Sequence, residues 1–294
     1  MKAFAAFILR GPFQAATVMV AASLLPLAAV VASGALALVT LRQGLGQGAL
    51  VAAMAAGLLA GLLAVATGGE LALPALRIVL EQWLPVLGLA GWLRRSVSLS
   101  STLLLWAGLG ALAVTGFYLA VGDPVGYWRG VVDALLAAAG AQGLGPEAEA
   151  LLQEELLPMM TSLWAMNMML MVLAGLLIGR GLQALLYNPG GLRAEFHGLS
   201  LGRTAAVGAL ALWLGAVLTG PGLLYDLAVV TGAAFVLQAL AFAHAVVAAR
   251  GWGRGWLVPV YLLAPLLFRV LALVGIGEAL FQWRRRLIDD HSAP

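Results

Sequence analysis

Arg77 and Glu81 stand four residues apart inside an apolar run, 72–93, that holds no other charged side chain. At helical i,i+4 spacing the two share a face and can pair. A charge at the centre of a membrane helix costs at least roughly 2.5–3.5 kcal/mol, so such groups face a bundle interior or a cavity. Two roles follow. The residues form a structural ion pair, or they line a polar cavity in which Arg77 fixes an anionic group and Glu81 orients it or carries a proton. Asn167, Gln238, His244 and Arg269 are the other polar side chains deep in apolar runs. Gln238 and His244 lie six residues apart, about 600° of helical rotation, which sets them on different faces. A single helical histidine such as His244 fits a hydrogen-bonded structural role. Arg269 follows Pro265 closely and can either satisfy carbonyls freed by a helix break or meet a ligand. These six residues are the expected substrate-binding set. Glu278, a turn and a half before Arg284-Arg285-Arg286, is placed to be their ion-pair partner.

Other chemistries find little support. Six of the nine methionines fall within 159–171, and thioethers can hold Cu(I), but no cysteine or histidine pair completes a relay. Plastic packing accounts for them better. Gly198-Leu199-Ser200-Leu201-Gly202 fits the nucleophile elbow in form, yet that elbow needs a strand before it. Here it leads into an apolar helix that Ser200 is expected to cap, with Arg203 in the first turn. No zinc-protease, phosphate-loop or dinucleotide pattern occurs. The chain is not expected to be an enzyme, nor to carry a cofactor or a metal. Gly57-x-x-x-Gly61 and Gly175-x-x-x-Gly179 are small-residue faces suited to close helix approach.

The elements that position these residues are set by composition. Of 294 residues, 63% are hydrophobic and 10% charged, with 37 glycines and no cysteine. Mean hydropathy is +1.00. A soluble domain is typically about half apolar and about a quarter charged, so the excess apolar surface must face lipid. The formal charge of +3 does not imply a nucleic-acid partner, because the arginines punctuate hydrophobic runs as topology signals do. With roughly 20 apolar residues needed per helix, segments 49–67, 72–93, 102–121, 158–186, 204–220 and 223–249 read as full spans. Two terminal stretches, 12–41 and 256–283, carry Pro26 and Pro265 near their middles. If each crossed once, the internal arginine clusters would lie opposite the C-terminal triplet. If each breaks at its proline and returns, nearly all arginines share one side, with Arg129 alone on the other beside the acidic 122–157 segment. Positive charge is retained in the cytoplasm, which selects the second arrangement. The start, MKAFAAFILRG with AVVASGA further on, is too long and too proline-broken for a cleaved signal. Within 122–157, residues 126–139 suit an interfacial helix and Pro146 starts a second, acidic one, together a helical lid on the outer face.

The order of features also resembles a known family. A proline-broken stretch (SLLPLAAVVASGALALV) runs into LRQGLGQGAL, followed by a large loop, GLLIGRGLQALLYNP, FVLQALAFAHAVVAARG and a closing VGIGEALFQWRRRL. This is similar to the YybS-like family of bacterial membrane proteins, grouped distantly with the substrate-binding S-components of energy-coupling-factor vitamin transporters. The resemblance implies a small-molecule pocket capped by the first hairpin or an outer loop. The expectation is therefore an all-α polytopic transmembrane bundle, a single membrane domain over 1–294, with six full spans and two proline-broken terminal hairpins. Both termini would lie in the cytoplasm of a bacterium, the chain crossing its inner membrane. The expected function is binding or transport of a small molecule, with membrane lipid around it. The alternative is a non-transporting membrane scaffold or assembly partner of envelope proteins, in which Arg77 and Glu81 form a sealed pair.

Overall fold

The computed structural model describes residues 1–25, 28–71, 77–140 and 144–284; Pro26, residues 72–76, Arg285 and Arg286 lie outside them. Among the described residues every regular element is helical. The helices are α1 Lys2–Ile8, α2 Pro12–Ser23, α3 Ala29–Gln43, α4 Leu45–Thr67, α5 Leu84–Ser96, α6 Leu99–Val121 and α7 Pro124–Ala138. They continue with α8 Pro146–Leu151, α9 Met160–Tyr187, α10 Gly191–His197, α11 Arg203–Thr219, α12 Leu223–Ala249, α13 Val258–Leu263 and α14 Phe268–Phe281.

Among the described residues four helical runs are long and apolar enough to cross a membrane: Leu45–Thr67, Leu99–Val121, Pro146–Tyr187 and Leu223–Ala249. They coincide with four of the six expected spans. The 72–93 segment instead contains a π turn, Val79–Trp83, ahead of α5. The 204–220 segment forms the 17-residue α11, about 26 Å long and short for a typical bilayer. A fifth candidate is α1 with α2, bent by 115° at their junction.

A second π turn, Leu152–Leu156, precedes α9 through a short tight turn at Leu157–Met159. Both π turns end two residues before a proline, Pro85 and Pro158. Proline brings no N–H and its ring presses on the carbonyl four residues back, so the preceding turn opens to wider bonding.

The chain packs as two compact units, Met1–Trp106 with Met168–Leu199, and Ala107–Asn167 with Ser200–Pro294. In the first unit α3 is the central helix, buried continuously from Ala32 to Leu41. It packs against α2, α4 and α5. Such a helix has no solvated stripe, which is why its sequence is apolar on every side. α3 also lies against the second half of α9: Ser33 against Gly175, Gly34 against Ile178, and Ala37 against Gly179. The numbers rise together, so the two helices run parallel. The 12–41 stretch does divide into two helices that pack on each other, and the Gln43 side-chain amide donates to the Leu9 carbonyl at 3.3 Å. The two ends of that stretch therefore meet.

In the second unit α12 is central and packs against α11 and α14. Arg269 meets Tyr225 and Glu278 meets Gln238, so α14 runs in the same direction as α12. The chain must double back between them, and it does so through the short α13 and the turns at 264–267. The expected break near Pro265 is present. The arm before it is helical from Arg254 to Leu263, a tight turn at Arg254–Leu257 followed by the six residues of α13, whereas α14 has 14. The acidic segment forms the two expected helices, α7 and α8. Asp123 caps α7 by accepting from the Gly126 amide at 3.1 Å, and Arg129 pairs with both Asp133 and Glu149 to tie the two helices together. Trp128, Leu152 and Leu157 form a buried cluster under Phe117, Met160 and Trp164, with the Trp128 indole donating to Thr161 Oγ1 at 2.9 Å.

Candidate functional site

Four polar residues, Arg77, Glu81, Gln82 and Trp83, lie on and just before the π turn of the first unit. Arg77 is exposed and Glu81 half-buried. The two do not form an ion pair. Their expected i,i+4 line is lost because the wider turn beginning at Val79 rotates Glu81 away from an ordinary helical path. Beyond them, Gln82 Oε1 and Trp83 Nε1 are buried with no hydrogen-bond partner, and Trp83 is wholly enclosed. A buried polar atom left unpaired costs about 1–3 kcal/mol, so each such atom calls for an explanation. Together they present an indole donor, an amide acceptor, a carboxylate and a guanidinium within seven residues of chain. That set can hold a small polar or anionic molecule by hydrogen bonds without forming or breaking a covalent bond. Sequence reasoning found Arg77 and Glu81 but passed over Gln82 and Trp83; Pro85, two residues on, was the available signal.

The rest of the expected set belongs to the second unit, where each residue has its own setting. Asn167 is exposed on α9. Arg269 is exposed, and its guanidinium donates to the Tyr225 hydroxyl at 3.2 Å and lies 5.9 Å from that ring. His244 shares a hydrogen bond of 2.8 Å with the Tyr261 hydroxyl. Gln238 is fully buried. Its carbonyl accepts the Leu201 amide at 2.9 Å, and its amide donates to Glu278. Glu278 in turn lies 3.5 Å from Arg284 Nε, the ion pair expected for it. Gln238 and His244 thus do point to different partners, as their spacing requires.

Leu201 belongs to the elbow-like pentapeptide, which is a bend between helices with no strand before it. The N-cap position of α11 is taken by Gly202, in the left-handed region at φ 85°, and not by Ser200 as expected: the tight turn at this point favours a residue without a Cβ. A further buried carboxylate, Asp226, escaped sequence reasoning. It is the only acidic residue of α12, fully buried, and accepts from the Tyr118 hydroxyl of α6 at 2.7 Å.

One end of the first unit is rich in arginine. Arg94 donates to the carbonyls of Leu41 and Arg42 at 2.6 and 2.7 Å, covering the carbonyls that end α3. Arg42 lies 4.1 Å above the Tyr187 ring, and Gln183 reaches the Leu41 carbonyl at 3.4 Å. Arg180 pairs with Glu195 and donates to Gln183 at 3.0 Å. Arg42, Arg94 and Arg180, far apart in sequence, are thereby brought to one end, together with the Leu9 carbonyl beside Arg10. Among the described residues no cluster of three or more histidine or carboxylate side chains could hold a metal ion. No family model, curated protein or solved structure matches this chain.

Proposed function

We propose that the chain is a multi-pass protein of the bacterial inner membrane that binds or transports a small polar or anionic molecule, at a site around the π turn Val79–Trp83. The observation that carries the reading is the pair of enclosed, unpartnered groups, Gln82 Oε1 and Trp83 Nε1, beside Glu81 and Arg77. π turns in helices are frequent at functional sites. The resemblance to the YybS-like family points the same way, towards an S-component-like binding role. Among the described residues Arg77 and Glu81 do not pair with each other, which favours binding over the scaffold alternative, since a scaffold would seal them against each other. Gln238, His244 and Arg269 are engaged within the second unit and are assigned supporting roles.

The topology that accompanies this reading has six spans and two terminal stretches that return to the side they left, both termini cytoplasmic. Support comes from the meeting of Leu9 with Gln43, from the common direction of α12 and α14, and from the gathering of Arg42, Arg94 and Arg180. Reporter fusions after Arg42 and at the C-terminus are expected to report the cytoplasm, and a fusion in 139–145 the opposite compartment.

Thermal unfolding of the purified protein against fractionated metabolite and lipid pools tests the site. A ligand present at a hundredfold excess over its Kd adds about 2.7 kcal/mol to stability. At least one fraction is expected to raise the melting temperature of the wild type. Trp83→Phe, which keeps the packing but removes the donor, and Arg77→Ala are expected to lose that response. If no fraction stabilises the wild type, or if both variants respond as it does, the site is wrong.

A further inference from the structure

The segment that leaves α12 is fixed in place and carries a different chemistry from the π-turn site. α12 ends with the Trp252 amide donating to the Val247 carbonyl at 3.0 Å and the Gly251 amide to the Ala248 carbonyl at 3.2 Å. Gly251 has φ +64°. This double bond with a left-handed glycine is the Schellman ending, which sets the direction of the residues that follow. It presents Arg250 with its guanidinium 5.4 Å from the centre of the Trp252 ring, and Trp252 lies 5.5 Å from Trp256 with the two rings tilted by 37°. Arg250, Trp252, Arg254 and Trp256 are all exposed. Between Asp226 and Glu278 the sequence contains no Asp or Glu, and among the described residues neither Arg250 nor Arg254 forms an ion pair.

The geometry points to a binding site for the headgroup of an anionic phospholipid, formed by Arg250 on the Trp252 ring together with the exposed Arg254, which lies in the chain between Trp252 and Trp256. A guanidinium resting on an aromatic face keeps its N–H edges free and offers them in the fork that suits phosphate oxygens. Tryptophan favours the headgroup level, where its ring is half in hydrocarbon and its N–H remains wet. The site lies at the end of a span-length apolar helix, where phospholipid headgroups are within reach. A turn already held by backbone hydrogen bonds loses little entropy when the headgroup arrives. The proposal depends on the chain being embedded in a membrane and is independent of the small molecule assigned to the π-turn site.

Native mass spectrometry of the full-length protein, delipidated in neutral detergent and incubated with phosphatidylglycerol or phosphatidylcholine, reads the site directly. The wild type is expected to retain phosphatidylglycerol several-fold more than phosphatidylcholine. The double variant Arg250→Gln/Arg254→Gln is expected to lose that preference with its melting temperature unchanged, because both side chains are on the surface. Arg95→Gln, which removes an exposed charge from the first unit, is expected to keep it. Equal retention of the two lipids by the wild type overturns the assignment. So does a preference that survives in the double variant, or that Arg95→Gln removes as completely.

Discussion

Gly275→Ala and Gly179→Ala are expected to be the most damaging one-carbon changes in the chain, while Gly57→Ala and Gly61→Ala leave it intact or firmer. A Cβ on Gly275 would run into the Phe235 carbonyl oxygen, with the carbonyl carbon at 2.7 Å and the Cα at 3.1 Å. A Cβ on Gly179 would sit 2.8 Å from both the Gly34 oxygen and the Leu38 nitrogen. These obstacles are backbone of a neighbouring helix, which cannot rotate aside as a side chain can. Overpacking of this kind costs about 1–3 kcal/mol, occasionally more, and outweighs the roughly 1 kcal/mol of helix propensity that alanine brings. At Gly57 and Gly61 nothing lies within 4 Å of the added carbon, so only the propensity gain remains. Unfolding of the four variants in mixed micelles, followed by circular dichroism, separates the pairs by sign. If Gly179→Ala is as stable as Gly61→Ala, α3 and α9 do not approach as described.

Those two glycine pairs also show what can be read in such a sequence and what cannot. Gly57-x-x-x-Gly61 and Gly175-x-x-x-Gly179 are the same motif, yet only the second meets a helix, because which face is covered is a tertiary fact. The membrane class was legible, since no folded arrangement of a chain that is 63% hydrophobic could hide that surface from water. Four span-length helices fall where long apolar runs predicted them, because backbone in lipid must bond within itself. Of the two remaining segments, 204–220 forms a helix of the expected extent, the 17-residue α11, whereas 72–93 passes from a π turn into α5 next to Pro85, a change of helical type that hydropathy does not register. Arginine placement suggested that the 12–41 stretch doubles back, and the Gln43 bond to Leu9 brings together the residues that flank it. Arg77 and Glu81 were found by spacing, but the spacing assumed an ordinary helix, and the π turn voided it. Gln82 and Trp83 could not have been found by type. What distinguishes them is that their polar atoms are enclosed without partners, and satisfaction is decided by neighbours remote in sequence.

The second large effect is expected at Gln238, whose replacement by leucine should destabilise the protein by roughly 3–5 kcal/mol. Its side chain does two jobs at once, accepting the Leu201 amide and donating to Glu278. Removing it orphans a buried N–H, at about 1–3 kcal/mol, and takes a hydrogen bond from a carboxylate, worth about 1.5–3 kcal/mol. Leu201 and Glu278 are both more than nine-tenths buried, so water has little access to replace either bond. Glu278→Gln is expected to cost less, because the amide keeps an acceptor for Gln238 and gives up only the attraction to Arg284. The double variant Gln238→Leu/Glu278→Leu is expected to fall short of the sum of its single changes by about 0.5–3 kcal/mol. Once Glu278 is gone, the donor lost at Gln238 no longer strands a charge. Strict additivity in that cycle would mean that Gln238 and Glu278 act separately, and that the bend at Leu201 and the end of α14 are held to α12 by packing alone.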